Sequence, residues 1–257
     1  MEAHLFKDCI VPTSSGYREY HIMTRWVSYL LYLYLLATLL VLISSVLNYR
    51  LLTDVQHGVY LAAESVDSDV QSSQLRLIGA LLFSLAAAVV AGTGVLLWTY
   101  RAVYNAHQLG SKGLQFSPGW AVASYFIPGL NLWKPFQAMK ELWQTSLSTA
   151  SGWSRIRVPG LMRLWWGLWL VVLLLGRVAE LLTNRVEQLL ALRELAVLYG
   201  INALLSLPLT LLLLYLIRTI QRRQQAQYQA LPSDDSGDRD SRASAVSQTT
   251  SPVVPGQ

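Results

Sequence analysis

Several polar side chains in this sequence have the type and spacing to do chemistry. Arg177 and Glu180 stand three residues apart and become neighbours on a helix, where they can pair. Ionisable groups inside an apolar run point first to a function. Both lie near the end of their run, however, where an arginine stem snorkels and a glutamate reaches water, so a structural pair is the favoured reading. His107 carries the ring for proton relay or metal ligation, but no His, Cys or acidic residue stands at ligand spacing from it. Lys140 and Glu141 are adjacent and cannot face one another, which reads as a solvated helix face. Cys9 is the lone cysteine, cannot form an internal disulfide, and reads as a free thiol. HExxH, GxSxG, Walker-type and paired-cysteine signatures are absent, as is a nucleophile–base pair. The expectation is therefore a protein that is not an enzyme, with no catalytic residues, no metal and no cofactor.

The elements that would hold these groups are apolar and long. Residues 26–47 and 77–98 contain no charge, 197–217 is a third such run, and 161–182 is a fourth that includes Arg163, Arg177 and Glu180. At 1.5 Å per helical residue each run covers roughly 30 Å, the hydrocarbon thickness of a bilayer. With 14% charged residues, against about a quarter in soluble domains, most of the chain is not solvated. The first run is too long for a cleavable leader core and lacks a small-residue cleavage site, so it is read as a retained anchor. The fold class expected is all-α, a polytopic membrane protein with four transmembrane helices.

Charge then orients the spans. Lysine and arginine cluster in three segments, three in residues 1–25, six in the connection 99–160 and five after 217, in a chain of net charge +5. Positive residues mark the cytoplasmic side, so both termini and the long connection are expected inside, in a bacterial inner membrane. The basic balance is a topology signal and does not point to nucleic acid. The organisation expected is a cytoplasmic segment 1–25, a four-span domain 26–218, and a tail 219–257 that is basic and then disordered. Asp67 or Ser68 is the expected cap of the second span, and the segment 183–196 is expected to extend spans three and four as a small outer cap. The small-residue stripe Ser84, Ala88, Gly92 reads as a helix-packing face. Pro208 is expected to kink the fourth span.

The connection contains an aromatic, proline-broken stretch, SPGWAVASYFIPGLNLWKPFQAMKELWQTS, at 117–146. Pro118 opens a short helix, and Ile127-Pro128-Gly129-Leu130 matches a type II turn, with glycine supplying positive φ. After the turn, Leu132, Phe136, Met139, Trp143 and Leu147 share one helical face, while Gln137, Lys140, Glu141, Gln144 and Ser148 share the other. The result is an interfacial or re-entrant helical hairpin over 117–148, on the cytoplasmic side. Trp120, Trp133, Lys134, Phe136, Lys140 and Trp143 are its expected lipid or partner contacts. Pro128, Gly129, Asn131 and Glu141 are expected to shape or orient it. All nine tryptophans fall at this predicted inner face, which reads as a headgroup-level belt.

Asn105, Gly110, Pro118-Gly119-Trp120-Ala121-Val122, Phe126-Ile127-Pro128, Asn131-Leu132, Pro135 and Glu141-Leu142-Trp143 carry a resemblance. On these residues the chain resembles a bacterial multi-span membrane protein family, number 4328 in the domain-of-unknown-function series. That resemblance implies a multi-span fold over spans one to four, with no catalytic residues to carry over. The leading functional reading is a non-enzymatic interaction, scaffold or sensor module that contacts anionic inner-leaflet lipid or an unknown protein partner. A small-solute or ion transporter or channel is the alternative, and an interfacial enzyme ranks last.

Overall fold

The computed structural model describes residues 16–57, 63–149, 152–183 and 189–231. Six α-helices are present among them and no strand: α1 His21–Gln56, α2 Ala63–Gln108, α3 Pro118–Ala123, α4 Lys134–Thr145, α5 Gly160–Thr183 and α6 Leu189–Gln229. Four of these, α1, α2, α5 and α6, are long and apolar enough to cross a membrane. The protein is an all-α, multi-pass design.

The long helices exceed what a bilayer needs. The 46 residues of α2 extend about 69 Å at 1.5 Å per residue, more than twice the hydrocarbon thickness. Helix α2 begins at Ala63, so Asp67 lies inside it and does not cap it. Helix α6 runs to Gln229 with Ile220 and Gln224 buried, so residues 219–229, expected as the start of a basic tail, complete the bundle instead. Tyr20 is likewise buried, and Tyr17 stacks on Tyr228 at 4.2 Å, which ties the start of α1 to the end of α6. Cys9 and residues 232–257 of the tail lie outside the described residues, as do residues 184–188 of the expected outer cap. Beyond that gap, Arg193 of α6 donates to Gln56 Oε1 at 2.6 Å, joining α6 to the last turn of α1.

Side by side, the helices run α2, α1, α6, α5. Helix α1 packs on both α2 and α6, and α5 packs on α6. The interior of the spans is built from small residues such as Ala37, Ala87, Ala91, Ala203, Ser28, Ser45 and Ser206, while Leu33, Leu36, Leu82, Leu85 and Leu174 face outward. Lipid tails are as apolar as leucine, so helices associate there through close approach of small side chains and not through burial of large ones. The interior hydroxyls return to their own helices: Ser28 to Thr24 O, Thr38 to Tyr34 O, Thr99 to Val95 O. Helix α6 passes through Pro208 as one element, and Ser206 Oγ donates to Asn202 O at 2.8 Å one turn earlier.

The expected packing stripe is displaced by a few residues. A Cβ built on Gly92 meets no atom within 4 Å, whereas one on Gly94 comes 3.1 Å from Leu30 Cδ1 and 3.4 Å from Val27 Cγ2. Gly94, not Gly92, lets α1 and α2 close on each other.

Candidate functional site

The connection between α2 and α5 folds onto one end of the bundle, the end that also carries the start of α1 and the end of α6. Ser117 Oγ accepts from Trp120 N–H and caps α3, with Pro118 in the first turn. Gly129 has φ +81, the positive value the turn needs after Pro128, and Asn131 N–H closes on Ile127 O at 3.0 Å. Pro135 sits in the first turn of α4, where its missing N–H costs nothing.

Helix α4 is held on three sides, which corrects the reading of its polar face as solvated. Glu141 is only 7% exposed. Its Oε2 accepts from Gln115 N–H at 2.9 Å and its Oε1 from Phe116 N–H at 3.3 Å. Burial raises its pKa above the ordinary glutamate value, with those two N–H bonds and the nearby His107 opposing the shift. His107 Nε2 pairs with Phe116 O at 3.0 Å. The two residues best suited to proton chemistry are thus both engaged in holding the 115–116 backbone. Gln144 Nε2 donates to Ser154 O at 3.0 Å and to Ile156 O at 2.7 Å, so it clamps the return toward α5. Trp153 Nε1 donates to Lys112 O at 2.8 Å across the same junction.

The expected contact residues divide. Trp133 is 63% exposed and Trp120 is also outward, joined by Phe126 at 70%. Trp143 is buried: Arg223 of α6 lies 4.2 Å over its ring, and Gln227 of α6 donates to Thr145 O beside it. Its expected lipid contact is therefore replaced by a contact with α6. Phe136 is half-buried against Trp166 at 5.9 Å, Lys134 lies over the Phe116 ring at 5.7 Å, and Lys140 is half-buried. Asn131 is half-buried in the turn. Arg177 and Glu180 pair at 2.8 Å on an exposed face of α5 and are joined to nothing else in the hairpin. The tryptophan belt is also corrected. Trp98, Trp143, Trp153, Trp165 and Trp166 are buried, because this end of the bundle uses indoles as its core.

Sequence reasoning missed the polar layer beneath the hairpin. Gln224 of α6 accepts from the Tyr20 hydroxyl at 2.5 Å and donates to Ala102 O at 3.1 Å. Trp98 Nε1 donates to Thr24 Oγ1, and the Asn105 amide pairs with both backbone groups of Arg18. These bonds lock α1, α2 and α6 together. Only Asn105 had been singled out, and a glutamine in a basic tail carries no signal of burial.

A cleft opens where α2 and α5 fail to meet. It has a volume of about 350 Å³ and is walled by Ala88, Gly92 and Leu96 of α2 and by Trp165, Trp169 and Leu173 of α5. Leu31 and Tyr34 of α1 with Leu209 and Leu213 of α6 also line it, and Tyr125 and Phe126 of the hairpin reach it. Polar atoms are few. Thr210 Oγ1 is already spent on Ser206 O, and the Trp165 Nε1–H, which has no hydrogen-bond partner among the described residues, is enclosed by protein atoms. A buried N–H donor of that kind is costly unless something accepts from it.

A family model matches residues 62–222, most of the chain. The chain belongs to that family, the domain of unknown function DUF4328. No curated protein and no solved structure matches it. The DUF4328 match begins just before α2 and ends within α6. It therefore takes in the hairpin and most of the cleft, and leaves α1 outside, although resemblance had been expected to reach the first span.

Proposed function

We propose that this DUF4328 protein is a non-enzymatic lipid-binding module of the bacterial cytoplasmic membrane, with the hairpin end and both termini on the cytoplasmic side. In this reading the cleft between α2 and α5 receives the acyl chain of an inner-leaflet ester lipid. The observation that carries it is the cleft itself: nearly all-apolar walls and a volume in the range of small-ligand pockets. An acyl chain matches such walls, since it needs no hydrogen-bond partner and arrives from the leaflet beside the cleft. Basic residues at the hairpin end, among them Lys112, Lys134, Lys140, Arg155 and Arg157, support the orientation. Outward Trp120, Phe126 and Trp133 support contact between the hairpin and the leaflet. An ion or small polar solute in the cleft would shed water without finding replacement ligands, which favours the lipid over the transport reading.

The test is photo-crosslinking in native membranes with a phospholipid bearing a photoreactive acyl chain. Labelling is expected on the segments carrying Trp165, Trp169 and Ala88, and Gly92→Trp, which fills the open side of the cleft, is expected to abolish it there. Equal labelling of every outward face, unchanged by Gly92→Trp, would show bulk lipid only and end the proposal.

A further inference from the structure

A second pocket, of about 470 Å³, lies between the start of α1 and the end of α6. It shares no residue with the cleft. Its basic side chains are Arg25 from α1 and Arg218 and Arg222 from α6, with His21 beside them, and no carboxylate lines it. Glu19, exposed, has its Oε2 3.9 Å from His21 Nδ1. Among the described residues none of the three arginines has an ion-pair partner within 4 Å.

Arg218 is held in place. Its Nε donates to Ser28 Oγ at 3.2 Å, its Nη2 donates to the Tyr32 hydroxyl at 2.9 Å, and the guanidinium lies 5.3 Å over the Tyr32 ring. Those contacts use neutral acceptors and leave its charge unmatched. Gln221 and Gln225 bond each other at 2.8 Å on the same wall. The depth of the pocket is marked by Trp26 and Tyr29, both exposed, which meet edge to face at 6.1 Å beside Arg25. Exposed tryptophan and tyrosine at the end of an apolar span sit at headgroup level.

We propose that this pocket binds the phosphate of an anionic phospholipid headgroup. Three guanidiniums gathered without a carboxylate repel one another, and a phosphate resolves that repulsion while offering acceptors for bidentate bonds. Basic pockets between membrane helices at the cytoplasmic face are suited to headgroups of this kind. The site is independent of the acyl-chain cleft and goes beyond it, because it selects for headgroup charge and the cleft selects for a tail.

The experiment uses the full-length protein in neutral detergent. It is titrated with short-chain phosphatidylglycerol or with phosphatidylcholine of the same chain length, and bound lipid is counted by native mass spectrometry. A phosphatidylglycerol adduct is expected at lower concentration than the phosphatidylcholine one. Arg25→Gln with Arg222→Gln, both exposed and without bonds of their own, is expected to weaken the phosphatidylglycerol adduct by about thirtyfold, and Arg25→Lys with Arg222→Lys to restore much of it. Equal affinity for the two lipids, or an unchanged preference in the glutamine variant, overturns the proposal. Displacement of phosphatidylglycerol by millimolar inorganic phosphate at matched concentration would assign the site to free phosphate and overturn the lipid source. Cleft crosslinking in the glutamine variant is expected to persist, which separates failure of this site from failure of the cleft.

Discussion

Removing the Glu141 carboxylate is expected to loosen the hairpin from its seat. The side chain accepts from two backbone N–H groups, at 2.9 Å from Gln115 and 3.3 Å from Phe116. Hydrogen bonds to a charged acceptor contribute about 1.5–3 kcal/mol each, the longer one at or below the low end. Against that, burial raises the carboxyl's pKa, so its desolvation cost is recovered when the charge goes. Glu141→Ala is therefore expected to cost about 2 kcal/mol net, and Glu141→Gln about half as much, because the amide keeps one acceptor oxygen and loses the charge. Hydrogen exchange at the Gln115 and Phe116 amides, with thermal unfolding in detergent, reads both effects. The sign with pH follows from the raised pKa. The carboxyl's stabilising contribution is full below its unfolded value of about 4.5 and is lost as pH rises through the higher native value. The margin of wild type over Glu141→Gln is thus expected to shrink as pH rises through that window. Unchanged amide exchange in Glu141→Ala, or a margin that grows with pH, would refute the reasoning.

Other perturbations test the frame around the hairpin. Gln224→Leu removes two buried bonds and is expected to cost about 2 kcal/mol in thermal unfolding, with Tyr20→Phe adding less than its own separate effect. Gln144→Leu frees Ser154 O and Ile156 O, so trypsin cleavage at Arg155 or Arg157 is expected to rise about tenfold in a timed digest. Gly94→Val is expected to cost about 1–3 kcal/mol by forcing α1 and α2 apart, while Gly92→Val, which meets open space, leaves unfolding nearly unchanged. Gly129→Ala is expected to cost about 1–2 kcal/mol at its φ of +81, seen as a lower unfolding midpoint.

The spans were legible because a bilayer imposes one strong rule, a length of predominantly apolar sequence with few charges, and four helices obey it. The Pro128-Gly129 turn and the position of Pro135 were legible for local reasons, since each residue's backbone admits few conformations. What failed was partner identity. Periodicity marked α4 as two-faced, and the polar face was assigned to water by default. In the structure that face meets peptide groups, the N–H of 115 and 116 and the carbonyls of 154 and 156, which only polar side chains can satisfy. The same blindness moved the tail boundary: Arg223, Gln224 and Gln227 look solvated in sequence, and each has its partner in another helix.

The order α2, α1, α6, α5 leaves α5 with one long-helix neighbour, and that has a mechanical consequence. A span packed on one side only is fixed less firmly than α1, which is packed on two. Its restraint comes instead from its first turns, where Met162, Trp165 and Trp166 enter the indole-rich core beside Phe136 of the hairpin. The hairpin and the cleft are therefore coupled through Trp165 and Trp166. Loosening α4 from Glu141 outward is expected to widen or close the cleft through α5, and crosslinking in Glu141→Ala reads that directly. Unaltered cleft labelling in a variant whose hairpin amides exchange freely would show that α5 holds its place without the hairpin.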